Sequence, residues 1–479
     1  MRPSDPVHDD ERVSPTRFEA AGDQVLRPLL RFSERQSAGG LLLLVAAACS
    51  LVWANSPWAD SFAAMLHEPF GVAFGDHVLR FDLRHWINDG LMTVFFFAVG
   101  LEIKREVLLG DLADRRHAML PLVAAIGGML VPAMIYLVLN AGGPGARGWA
   151  IPMATDIAFA LGALSLLGAR IPTGLKVFVV ALAIVDDLGA MVVIGLFYTA
   201  SIDGLGLAVA AGFLLALFGA NLLGVRRGAV YVVLTFGLWY GLLVSGVHAT
   251  LAGVLAALFV PMRVRIRPDL LARVVRRGAD AIEAHAGRGA APGMDAERFE
   301  VISLLRFALR IATSPLQRFE HAVQPWVTFL ILPVFALFNA GVAIDPGTLS
   351  ALASPVGLGV VVGLVIGKPV GVLGASWLAV RSGVAVLPEG VSWRHMAGAA
   401  CLTGIGFTMS LFMTGLSFPT TGLEATAKLG ILVGSIIAAV AGGVILLTMR
   451  PAGGRPAARP TRPHQPRRAR SSPRRRGRA

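Results

Sequence analysis

Asp186 and Asp187 are neighbours in the middle of an apolar stretch, Gly174 to Tyr198, that is long enough to span a bilayer. One carboxylate at bilayer depth costs roughly 2.5–3.5 kcal/mol on insertion scales. Two adjacent ones also repel each other. Both effects are relieved by holding a proton or a cation, and oxygen ligands suit small hard cations. Around a helix the two lie about 100° apart, so they do not share one face but can border one cavity. Asp156 follows Pro152-Met-Ala-Thr155 inside another apolar run. Pro weakens a helix, and Thr and Asp suit its restart. A carboxylate there would offset the positive N-termini of half-helices beside an ion pathway. Lys368 stands in Ile-Gly367-Lys368-Pro369, and only four of the 43 basic residues are lysine. Arginine keeps its proton, whereas a buried lysine can release it. Lys368 therefore titrates or makes a pair, with Asp186 or Asp187, that must break. It can equally serve as the countercharge of a second broken helix.

That second break is expected at Thr403-Gly404-Ile-Gly406-Phe407-Thr408, where Gly404 and Gly406 permit unwinding and close crossing. Trp86-Ile-Asn88-Asp89-Gly90 opens one span, and Leu101-Glu102-Ile-Lys104-Arg105-Glu106 closes it at a membrane surface. Glu102, Arg105, Glu106 and Asp89 could sense pH at a funnel mouth, or simply cap and snorkel. His248 in Ser245-Gly-Val-His248 reads as a packed helix residue near a surface, with its titration range leaving a pH role open.

These residues need a membrane scaffold, and the composition supplies one. The 479 residues are 55% hydrophobic and 15% charged, with a mean hydropathy of +0.67. That is too apolar for a soluble protein of this length. The expectation is an all-α polytopic membrane protein of about twelve transmembrane helices, at 39–54, 85–108, 119–140, 149–167, 174–199, 205–223, 228–243, 246–262, 325–344, 355–379, 396–416 and 425–449. The first apolar run reads as a retained helix, because residues 1–38 show no secretory signal. Lys and Arg are asymmetric between alternate loops: one side has eleven arginines from Arg263 to Arg318 alone, and the other holds Arg80, Arg84, Arg147 and Lys428. This puts both termini in the cytoplasm. Residues 119–199 and 355–449 each contain three spans with the middle one interrupted, which points to inverted repeats with a site between two broken, crossing helices.

Three segments flank this 39–450 transmembrane unit or interrupt it. Residues 1–38 form a cytoplasmic extension. The 263–324 cytoplasmic loop mixes charges and can form short amphipathic helices at 268–284 and 296–311. Residues 451–479 hold ten arginines and no acid, so they account for most of the net charge of +13 and should be a disordered basic tail. The charge excess therefore gives no reason to expect nucleic acid as a partner; membrane lipid is the expected contact. Cys49 and Cys401 read as small buried thiols rather than a disulfide.

Taken together, these segments resemble the NhaA family of Na+/H+ antiporters. The residues carrying the resemblance are Trp86-Ile-Asn-Asp89, Gly100-Leu-Glu102-Ile-Lys-Arg-Glu106, Ala154-Thr155-Asp156-Ile-Ala-Phe, Ala183-Ile-Val-Asp186-Asp187-Leu-Gly, Ser245-Gly-Val-His248-Ala-Thr-Leu-Ala-Gly, Phe338-Asn339-Ala-Gly341, Gly367-Lys368-Pro369 and Gly404-Ile-Gly406-Phe-Thr408-Met-Ser410. They run over roughly residues 37–450. The resemblance implies an electrogenic secondary transporter in the bacterial cytoplasmic (inner) membrane, usually a homodimer, serving sodium and pH homeostasis without a cofactor. It implies that Asp186 and Asp187 exchange Na+ or Li+ for protons. It further implies that Asp156 and Lys368 balance the broken-helix dipoles, with Thr155 in support, and that Lys368 pairs with Asp186. Glu102, Arg105 and Glu106 match positions tied to activation at alkaline pH.

The mechanism expected is alternating access with competition, in which only the occupied aspartate pair crosses between inward and outward states. Two rivals belong to other classes. An intramembrane aspartyl protease places its carboxylates on different helices with Gly-x-Gly-Asp, whereas Gly404-Ile-Gly406 is followed by Phe407. A passive cation channel needs neither a titrating lysine nor paired broken helices.

Overall fold

A computed structural model describes residues 36–74, 77–199, 202–262, 312–419 and 421–449, with a few isolated positions between 272 and 303. The expectations for the basic tail, for nearly all of the N-terminal extension and for the two short helices of the 263–324 loop fall outside the described residues.

The first described element is α1 (Gln36–Ala54), which turns sharply, by 111°, into α2 (Ala59–His67). An antiparallel hairpin follows, β1 (Pro69–Phe74) with β2 (His77–Asp82). The pattern of apolar spans gives no hint of it. Its signal is a period of two: Phe70, Val72 and Phe74 stand opposite Phe81, Leu79 and His77. Next come α3 (Leu83–Leu109), which contains a π-helical turn at Trp86–Leu91, and α4 (Arg115–Asn140). A 3₁₀ segment, Ala146–Met153, leads through extended residues 154–156 into α5 (Ile157–Leu166). The helices α6 (Thr173–Phe197), α7 (Gly204–Leu222), α8 (Gly228–Ser245) and α9 (Leu251–Phe259) complete the first half.

The second half holds α10 (Pro315–Asn339), α11 (Pro346–Ala351), α12 (Pro355–Arg381), α13 (Trp393–Leu402), α14 (Phe407–Ser417) and α15 (Leu423–Leu447). Among the described residues, nine helices are long and apolar enough to cross a membrane, or up to eleven if each bent pair counts as one span. The expected all-α polytopic architecture is therefore present.

Two details differ from the sequence reading. The expected span at 246–262 contains only the nine-residue α9, about 14 Å long and too short to cross. Gly246, at φ +80°, ends α8 in the left-handed cap that favours glycine. The chain then turns through His248, so this residue lies in a turn rather than on a helix. In addition, the span expected from 325 starts earlier, at Pro315. Ser314 and Gln317 form a capping box, with Pro315 in the first turn.

The two three-span units are α4, the broken Ala146–Leu166 segment and α6, and then α12, the broken α13–α14 pair and α15. Helices α4 and α12 pack very closely. A Cβ added to Gly127 would lie 2.5 Å from the Gly371 carbonyl oxygen, so neither helix tolerates a side chain there.

Candidate functional site

The two breaks cross each other. Asp156 donates its backbone N–H to the Ile405 carbonyl at 2.7 Å, Ser410 Oγ donates to the Ile151 carbonyl at 2.8 Å, and Thr155 Oγ1 lies 2.9 Å from the Thr403 carbonyl. Ile151 meets Ser410 whereas Asp156, five residues on, meets Ile405, five residues back, so the segments run antiparallel. The helix starts at Ile157 and Phe407 therefore face one another, as do the ends at Met153 and Leu402. Unpaired N–H groups make one pole of the crossing positive, and unpaired carbonyls make the other negative.

Asp156 serves the positive pole. Its Oδ1 accepts from Phe159 N at 3.1 Å, while its Oδ2 accepts from Thr408 N at 3.0 Å and Thr408 Oγ1 at 2.5 Å. One carboxylate thus caps both half-helices, as its place after Pro152 suggested. Lys368 serves the negative pole. A π-helical turn at Gly363–Gly367 aims its side chain inward, and Nζ donates to the Met153 carbonyl. Nζ also lies 2.5 Å from Asp186 Oδ2 in a fully buried ion pair. Lys368 thus meets both the carbonyl end of the break and one carboxylate of the pair. Thr155 Oγ1 is 2.7 Å from the same Asp186 oxygen. Its hydroxyl has one proton, so it donates to Asp186 or to the Thr403 carbonyl, not to both at once.

Asp187 is different. It is 1% exposed, like Asp186, and neither of its carboxylate oxygens has a hydrogen-bond partner among the described residues. The 100° step along α6 takes it away from Lys368 and into a cavity of about 430 Å³. Asp156, Thr408, Glu102, His321 and Gln324 also line that cavity. One neighbour of the aspartate pair is thus locked to a lysine, and the other is left available to a ligand. Asp186 Oδ1, also unpartnered, adds a third free oxygen. Such a set can hold a proton or a small oxygen-seeking cation. Among the described residues, no group of three or more His, Cys, Asp and Glu could hold a metal ion.

Glu102 reaches the cavity. Arg105, three residues on, pairs with Glu106 at 2.9 Å and Glu320 at 3.0 Å. Glu106 also lines a separate small cavity with Lys176. Asp89 and His248 are not brought to the site. Asp89 sits thirteen residues before Glu102 on α3, about 20 Å away along the axis, and pairs with His85 at 3.4 Å. His248 Nε2 lies 2.7 Å from the Tyr198 carbonyl. Sequence reasoning missed Glu320, His321 and Gln324, because it left them in the loop before α10. The capping box at Ser314 was the available signal.

Gly404 and Gly406 hold the crossing tight. A Cβ on Gly406 would collide with Ser410 Oγ and come within 3.2 Å of the Ala154 carbonyl; one on Gly404 would collide with the Leu364 carbonyl. Gly406→Ala is therefore expected to push the two breaks apart and to lower cation-dependent proton flux about tenfold or more, with the protein still inserted. Flux normalised to purified protein in vesicles checks this.

Comparisons with known proteins bear on the same residues. Residues 30–446 match the family model described as Na+/H+ antiporter 1. The chain is 47% identical over 422 residues to a Koribacter versatilis protein named Na(+)/H(+) antiporter NhaA, covering 88% of this chain and 91% of that one. It is 47% identical over 443 residues to the protein of the same name from Caulobacter vibrioides, covering 92% and 94%. Its match to the one from Acidithiobacillus ferrooxidans is 46% over 427 residues, covering 87% and 96%.

Proposed function

Because the chain belongs to the NhaA family of Na+/H+ antiporters, we propose that Asp186 and Asp187 are its exchange site, where Na+ and protons compete for the same carboxylate oxygens. The protein is a multi-pass membrane Na+/H+ antiporter. The observation that carries the site assignment is Asp187: a buried carboxylate with both oxygens unpartnered, opening on a cavity.

In this reading the cavity is the cytoplasmic vestibule, since Glu102, Arg105 and His321 lie on the side that the Lys and Arg asymmetry places inside. At acidic pH, protons occupy the pair. As the cytoplasm turns alkaline, the pair gives up protons and takes Na+ or Li+ as substrate; no cofactor is needed. Sodium draws both carboxylates to itself and loosens Asp186 from Lys368. A buried lysine stripped of its partner yields its proton. Protons released then outnumber sodium ions bound, so exchange moves net charge. Asp156 stays fixed and keeps both half-helix starts neutralised throughout. Alternating access turns the occupied site towards the other face. We place the 39–450 unit in the bacterial inner membrane as a homodimer with both tails cytoplasmic, on the resemblance and the loop charges.

Proteoliposomes carrying a proton gradient test this reading. Added Na+ and Li+ should dissipate the gradient, increasingly so as pH rises; absence of any response to either ion would overturn the proposal. Lys368→Arg, which keeps the charge but not the releasable proton, should shift the pH profile or slow exchange. An unchanged profile would remove Lys368 from the proton count.

A further inference from the structure

The face opposite the cavity carries a second set of partly buried charges that the exchange site does not use. Arg84 lies in the first turn of α3, eighteen residues or about 27 Å along the helix from Glu102. It pairs with Glu424 in the first turn of α15. Glu424 also pairs with Lys428, one turn on, at 3.0 Å. The three side chains are 23%, 18% and 9% exposed, in that order. Lys428, grouped with an outer loop from the sequence, is therefore a residue of the span itself.

The two ends of α3 are tied to different partners. At the end nearer the cavity Arg105 binds Glu320 on α10, next to the cavity-lining His321. At the far end Arg84 binds α15, which belongs to the three-span unit that holds the α13–α14 break. Between them α3 is tightly packed, with Ile87, Met92 and Phe96 buried. A passage to this face must part α3 from that unit, and parting them breaks Arg84–Glu424.

We propose that Arg84, Glu424 and Lys428 form a latch that holds the outer face shut while the cavity is open; this rests on the alternating-access reading given above. Lys428 has a distinct part in it. A carboxylate stripped of its only partner in a partly buried site is costly. When Arg84 leaves, Lys428 remains four residues along the same helix, in the favourable Glu-to-Lys order, and keeps Glu424 neutralised. Arg84, the most exposed of the three, moves into water. The latch thus opens without leaving a bare charge behind.

The test uses full-length protein in vesicles, with Cys49 and Cys401 changed to serine and a reporter at Gly415→Cys. A Cβ there meets only Asn88 Nδ2, at 4.0 Å, so the reporter fits on α14 facing the outer half of α3. The readout is its rate of labelling by a membrane-impermeant maleimide from the outer side. Arg84→Gln should raise that rate about three- to fivefold, the range a partly exposed ion pair supports. Lys428→Gln should lower it, because opening would then strand Glu424. The exchanged pair Arg84→Glu with Glu424→Arg should return the rate to within about twofold of the parent. General loosening of the fold would raise labelling in both single variants. Equal directions for Arg84→Gln and Lys428→Gln, or no change in either, would overturn the latch. Labelling does not require ion exchange at Asp187, so repeating it in Asp187→Asn separates failure of the latch from failure of the site assignment.

Discussion

Asp187→Asn should cut Na+-dependent proton movement in proteoliposomes by about a hundredfold or more, while the protein stays folded. The size follows from what the side chain offers. Asp187 brings two unpartnered oxygens to the cavity, and the amide replaces one with a donor and removes the charge that attracts the cation. A hundredfold loss corresponds to about 2.7 kcal/mol of ion binding, a modest demand for a charged ligand out of water. Folding should not suffer, because no hydrogen bond to another side chain is lost. Neutralising a buried charge removes a desolvation cost, so the variant's Tm should equal or exceed that of the parent. Wild-type exchange in this variant would contradict the assignment.

Lys368→Leu should do the opposite, losing stability as well as transport. Lys368 is fully buried, and its partner Asp186 is equally so. Removing one member of such a pair leaves an uncompensated charge, at a cost of about 3–5 kcal/mol. It also leaves the Met153 carbonyl at the negative pole of the crossing without its donor. The double variant Asp186→Leu with Lys368→Leu should recover most of that stability, since a buried ion pair replaced by apolar groups of similar size is often neutral. It should remain inactive. Thermal unfolding in detergent, read beside vesicle flux, separates the two effects. If Lys368→Leu proved as stable as the parent, the buried pair would not be the structural element assigned here.

Much of the site was readable because membrane depth makes charges conspicuous. Asp156, Asp186, Asp187 and Lys368 interrupt apolar runs, and each is drawn into the crossing or its cavity. Which aspartate faces the lysine was not readable from the residues alone. That depends on the rotation of α6, and a 100° step decides it. The resemblance supplied the answer, Asp186, and the geometry agrees with it. Glu320 and His321 were hidden for another reason. They follow a capping box in a charged, weakly apolar segment, so hydropathy placed them in a loop while local hydrogen bonding made them helix. The 246–262 segment misled in the opposite sense: its composition suits a span, but a left-handed glycine and a turn leave only nine helical residues. The β1–β2 hairpin and the Glu424–Lys428 pair went unread because a search for long apolar runs does not look for period-two alternation or for charges inside a helix's first turns.

In the proposed mechanism one carboxylate pair serves proton and sodium in competition. Its most direct test is the pH of a weakly buffered solution of the purified protein, followed as Na+ is added near the alkaline end of its working range. Binding should release protons, more than one for each Na+ bound, and K+ at equal ionic strength should release none. In Asp187→Asn the release should vanish together with Na+ binding. Saturable Na+ binding that releases no protons would contradict the account.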